Sequence, residues 1–115
     1  MDSILQRLAE LNGIISAILI GKDGLIVAGT VQNDEEEMLG AISAAVFGSI
    51  NNFTTQSINS ETRHAIIETD KGTVHFAEAG ELILVVTTSG LGNAGRVRLE
   101  MKKACRQISD LVAAY

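Results

Sequence analysis

Gly90-Leu91-Gly92-Asn93-Ala94-Gly95 spells G-x-G-x-x-G between an apolar stretch and a helical one. In dinucleotide sites that pattern lets backbone N–H groups meet a pyrophosphate. A Rossmann unit also needs a further parallel strand whose acid reaches the ribose. Here the following residues run as a helix, and Asp110, the nearest acid, lies on it. The segment therefore reads as a helix start with close backbone packing and Asn93 as N-cap. It lacks the Gly-Lys-Ser/Thr of a Walker loop, so no nucleotide cofactor is expected. His64 and His75 fall on neighbouring expected strands and could approach each other. A metal ion would want a third ligand, and no Cys or carboxylate stands convincingly beside them, so both are expected at the surface or rim with no metal. The single Cys105 excludes an intramolecular disulfide framework and a Cys-based zinc site. It sits on an apolar helical stripe, as a buried structural thiol does. No Ser stands in a nucleophile-elbow pattern and neither His has a partner for a dyad. No catalytic residue can be named, and the chain is expected not to be an enzyme.

Arg96, Arg98, Lys102, Lys103 and Arg106 gather five of the nine basic residues into eleven positions. Arg98, Lys102 and Arg106 are spaced by four and share a helix face. That face is either a solvated side of an acidic protein or a docking surface for an acidic partner. Arg96 and Arg98 near the helix N-terminus, where the dipole disfavours cations, lean towards docking.

The element that would organise these residues runs from Asp34 to Phe53. Four acids, Asp34 to Glu37, open it, and no charge follows until Glu61. At about 100° per residue, Met38, Leu39, Ile42, Val46, Ile50 and Phe53 share one arc, and Gly40, Ala41, Ala44 and Gly48 another. A helix without a charged face is usually buried all round. One arc is therefore expected on the chain's own core. The small arc is expected against a second copy, or else under loops of the same chain. On the dimer reading, Ala44→Glu would separate the copies without unfolding them. The acids are explained by capping, with Asn33 or Asp34 as N-cap.

Ser3 and Gln6 fit a capping box for a first helix ending at Asn12-Gly13. Ile14 to Ile20 is an apolar, β-branched run suited to a central strand covered on both faces. Gly21-Lys22-Asp23-Gly24 turns it into Leu25 to Ala28. After a polar connection from Thr54 to Ser60, Arg63–Thr69, Thr73–Glu78 and Leu82–Thr88 read as a three-strand meander, the last strand central. A final helix carries Val97, Met101, Ala104, Cys105, Ile108, Leu111, Val112 and Tyr115 as its core stripe. The order α-β-β-α-β-β-β-α gives a largely antiparallel five-stranded sheet, the long helix on one face and the terminal helices on the other.

Residues 1–115 read as one domain of 12.2 kDa, 46% hydrophobic and long enough for one core. A net charge of −5 and an aromatic content of 3% argue against nucleic acid. Met1-Asp2-Ser3 does not open a signal peptide, and no run approaches the roughly 20 apolar residues of a membrane span. A soluble, cytoplasmic protein is expected.

This element order resembles the roadblock/LC7 family over essentially the whole chain. The resemblance rests on the strand before Gly21-Lys22-Asp23-Gly24, the small-residue helix through Ala41-Ala44-Ala45, and the closing Gly92 to Ala104 segment. That last segment is similar to the prokaryotic, gliding-motility branch, which keeps a C-terminal helix that short dynein light chains lack. The resemblance implies an α/β (α+β), profilin-like α-β-β-α-β-β-β-α sandwich. It also implies a homodimer whose long helices pack antiparallel, with Arg63 to Thr69 pairing across the two-fold axis. The expected interface is Gly40, Ala41, Ala44, Phe47, Gly48 and Asn51 on the helix with His64, Ile66 and Glu68 on that strand. Arg98, Lys102 and Arg106 are the candidate docking residues. The role implied is non-enzymatic scaffolding or regulation of a small Ras-like GTPase, by activation or recruitment. The alternatives are a dynein-light-chain-like adaptor and a profilin-like sensor holding a small ligand between sheet and helix.

Overall fold

A computed structural model of the chain describes residues 1–30, 34–90 and 94–114. The elements follow the expected order: α1 (Asp2–Ala9), β1 (Ile14–Gly21), β2 (Ile26–Gly29), α2 (Asp34–Ile58), β3 (His64–Glu68), β4 (Thr73–Ala79), β5 (Leu82–Thr88) and α3 (Ala94–Ala113). The strands form one antiparallel sheet ordered β2-β1-β5-β4-β3. The most apolar strand, β5, is central and pairs with β1 in a register that sets Ile18 opposite Val85. This is an α+β fold with helices on both faces of the sheet.

Alternation along the strands divides the core in two. Ala17, Leu19, Ala77, Leu84 and Val86 face α1 and α3, and meet Leu5, Leu8, Val97, Met101 and Ile108. Each fully buried large side chain there contributes about 1.5–3 kcal/mol relative to exposure. Ile18, Ile20, Phe76, Ile83 and Val85 point to the opposite face, where Phe47 is the buried hydrophobic side chain that the described part of α2 supplies.

Several local expectations need correction. α1 starts at Asp2 with Met1 in the N-cap position and no side-chain cap, so Ser3 and Gln6 form no capping box. α2 does not stop near Phe53 but continues to Ile58. Thr54 reads as loop chemistry, yet its hydroxyl donates back to the Asn51 carbonyl (3.2 Å), a bond that a helix tolerates. Asn59, at φ 56°, then ends the helix in the left-handed region, where Asn is tolerated. Asn33, Gly92 and the expected Asn93 cap lie outside the described residues. Gly90 adopts φ 76°, but Cβ atoms at Gly90 and Gly95 would meet nothing. Close packing at these two positions is therefore not the reason for glycine.

Candidate functional site

Of the two expectations for the small arc of α2, the structure shows its first residues against a turn of the same chain. A Cβ on Gly40 would lie 2.9 Å from the Gly24 carbonyl oxygen, and one on Gly24 would lie 2.9 Å from the Ala41 Cα. Gly40 and Ala41 thus seat the first turns of the helix on its own β1–β2 hairpin. The turn is set by Gly24 at φ 91°, its N–H donating to the Gly21 carbonyl (3.0 Å) and the Leu25 N–H donating to Asp23 Oδ1 (3.1 Å). Gly40 and Phe47 are buried within the chain, and Ala44 and Asn51 are half-buried. Gly40 and Phe47 are therefore covered by their own chain and do not face outward, whereas Ala41 and Gly48 remain exposed on the flank. The large arc points out instead: Met38 is 65% exposed and Phe53 70%, and Leu39 and Ile42 are also exposed. Size decided this outcome, because only small residues let the helix axis approach the hairpin backbone.

Raising the large arc outward leaves a cleft of about 430 Å3 between α2 and the sheet. Leu39, Ile42 and Val46 form its helical lip, and Ile18, Phe76 and Val85 are among the sheet residues beneath. Glu36 stands at this cleft, 4% exposed, its carboxylate against Gly29. It is therefore not merely a solvated first-turn acid, as capping alone would have it. Beyond α2, Asn51 Oδ1 accepts the Thr62 N–H (2.7 Å) and the Thr54 and Thr62 hydroxyls bond to each other (2.7 Å). These contacts fix the chain as it enters β3, an edge strand with one outer side unpaired by any described strand. Ile66 and Glu68 are exposed there, while His64 is half-buried and turned towards α3.

The two histidines do meet, with His64 Nε2 3.1 Å from His75 Nδ1 and the rings edge-on at 88°. His75, however, is fully buried (0% exposed) rather than at the rim. Two threonine hydroxyls lie beyond it. Thr88 Oγ1 accepts the Thr73 N–H (3.1 Å) and donates to the Thr73 carbonyl (3.4 Å). The Thr73 hydroxyl oxygen lies 2.7 Å from Thr88 Oγ1 and 3.2 Å from His75 Nε2. Each nitrogen of the buried His75 ring thus has a polar partner, His64 Nε2 at Nδ1 and the Thr73 hydroxyl at Nε2. Burial first, then His75, Arg98 and Lys102, push the His64 pKa down to about 4, and burial lowers that of His75. Among the described residues no group of three His, Cys, Asp or Glu is placed to hold a metal ion. Burial, aided by Glu78, raises the Cys105 thiol to about 12, which makes it a poor nucleophile.

On the α3 side, Lys102 and Arg106 share a second cleft with Arg63, His64 and Cys105, and Arg98 acts on His64 from the same helix. The three candidate docking residues do lie together. Arg63 joins them from another element, which helical spacing alone could not reveal.

An antiparallel five-stranded sheet between one long helix and a terminal pair is the architecture of a roadblock/LC7 domain. The model of that domain matches residues 1–88, ending with β5, and the chain belongs to the roadblock/LC7 family. A Methanocaldococcus jannaschii protein described as uncharacterized is 33% identical over 112 residues, 96% of this chain and 95% of that one. A roadblock/LC7 domain from Streptomyces avermitilis superposes with TM-score 0.91 at 17% identity, covering 98% of each chain. MglB of Myxococcus xanthus superposes at 0.90 with 20% identity, over 99% of this chain and 95% of its own. Both structures share the fold through α3, beyond the family-model match. The family is generally one of non-catalytic adaptors and regulators.

Proposed function

We propose that this chain is a non-enzymatic, homodimeric, cytoplasmic module that binds and regulates or scaffolds a small Ras-like GTPase. The observation that carries this reading is the outward apolar arc of α2 beside an apolar cleft and the open edge of β3. A second copy related by a two-fold axis meets the same patch with the same patch. Its α2 covers Met38, Leu39, Ile42 and Phe53, and its β3 pairs with β3 through the edge that carries Ile66 and Glu68. The family's role with small GTPases and the likeness to MglB support the choice of partner. No helix among the described residues is long and apolar enough to cross a membrane.

Light scattering tests the assembly. The wild type is expected at twice 12.2 kDa, and Ile42→Glu at 12.2 kDa with its helical circular dichroism retained. A monomeric wild type sinks the homodimer. Pulldown of GTP-loaded and GDP-loaded GTPases then tests the partner, with retention that depends on the bound nucleotide as the expected result. The sensor reading draws on the α2 cleft, whose size falls within the roughly 300–1,000 Å3 of ligand sites. A monomer that small apolar molecules stabilise in a thermal-shift screen would favour it.

A further inference from the structure

The cleft on the α3 side is complete within one chain and makes no use of the apolar arc of α2. It measures about 400 Å3, and Ala77 and Cys105, both buried, give it an apolar floor. Its cations come from two elements, with Arg63 leading into β3 and Lys102 and Arg106 on α3. Arg98 continues the α3 row, and at the rise of a helix these three residues stand about 6 Å apart along about 12 Å. Among the described residues the ion pairs are Lys22–Glu81 and Lys103–Glu100, so none of these four cations is paired. That is an uneven use of basic residues in a chain of net charge −5. Glu78 and Asp110 also line the cleft, Glu78 beside Arg63, whose carbonyl accepts its N–H (2.9 Å), and Asp110 one turn beyond Arg106 on α3. The more positive end is therefore the one beside His64, Arg98 and Lys102.

We propose that this cleft binds an acidic peptide segment of a protein partner, with carboxylates set against Arg98, Lys102, Arg106 and Arg63. Alternate side chains of an extended segment recur about every 7 Å, close to the spacing of the α3 row. A single phosphate would instead want donors converging on one point. Nucleic acid fits poorly, because the whole chain is acidic and no Phe, Tyr or Trp lines the cleft. His64 lies within the same field, so an acidic occupant would offset the cations that oppose its protonation.

The probe is a fluorescein-labelled peptide of alternating Glu and Ala, followed by anisotropy, with a Gln-for-Glu peptide as its neutral control. Saturable binding that weakens with added salt is expected for the acidic peptide alone. Lys102→Glu with Arg106→Glu should weaken it at least about tenfold, whereas Arg7→Glu with Lys103→Glu, an equal charge change outside the cleft, should stay within about twofold. Bound peptide should also raise the His64 pKa followed by NMR. Thermal unfolding confirms that each variant folds, and Arg63→Glu replaces either α3 change that does not. Solution mass, measured alongside, separates loss of this site from loss of the dimer. Equal binding of the Gln peptide, equal damage from the control pair, or an unmoved His64 would each overturn the proposal. Displacement by inorganic phosphate at peptide-like concentration, or tighter binding of a single-stranded oligonucleotide, would overturn it as well.

Discussion

The two faces of the sheet are covered to different degrees. On one, α1 and α3 press Leu5, Leu8, Val97, Met101 and Ile108 onto the strands, and all five are nearly or wholly buried. On the other, α2 is the longest helix, yet Phe47 is its buried hydrophobic side chain, and a cleft of about 430 Å3 remains beneath Leu39, Ile42 and Val46. The first face is finished by the chain itself. The second carries its large side chains where a partner would meet them, so the amount of apolar surface on a helix does not tell which side of it the chain uses.

Truncations on the two faces should differ most. Met101→Ala is expected to cost about 2–5 kcal/mol in urea unfolding, from lost burial and a residual cavity. Leu39→Ala, on the exposed lip, should cost under about 1 kcal/mol to the folded monomer. Equal losses would break the comparison. Next in size is Ala44→Glu, which sets a carboxylate against the apolar sheet. It should lower stability by roughly 1–3 kcal/mol, rather than simply release a folded monomer. A folded, fully stable Ala44→Glu monomer would restore the small arc as the outward one.

The closed face should also impose a pH dependence on stability. His64 titrates near 4 in the fold against an ordinary 6.5, and His75 shifts in the same direction. Between those values the unfolded chain binds more protons than the folded one, so stability rises with pH across that window. The contribution is complete above 6.5 and is lost as the pH falls towards 4. Arg98 and Lys102 on α3, with His75 on β4, are the charged and titratable groups that oppose His64 protonation. His64→Gln should therefore show a shallower pH dependence of its urea midpoint than the wild type. An unchanged slope would show that the pair is not protonated on unfolding.

The element order and sheet were legible in the sequence because β1 and β5 are continuous apolar runs and Gly21 to Gly24 is a turn in its own right. The facing of α2 was not. Periodicity gives arcs without saying which arc has the hairpin beneath it, and the answer lay in Gly24, sixteen residues before Gly40. The burial of His75 was hidden for a similar reason. Its support comes through Thr73 from Thr88, fifteen residues further on and brought opposite only by the pairing of β4 with β5. The α3 row was visible as spacing, but Arg63 joins it through the sheet.

The contact between α2 and the hairpin acts as a key in a keyway. With Gly40 over the Gly24 carbonyl and Ala41 over the Gly24 Cα, sliding the helix forward by one turn would bring the Ala44 methyl to the place that tolerates no Cβ. Axial ratcheting is thereby blocked at one end. At the other, the bonds from Asn51 and Thr54 to Thr62 tether the helix to the start of β3. Together the two contacts fix where α2 sits along the sheet, and with it where Leu39, Ile42 and Val46 stand over the cleft.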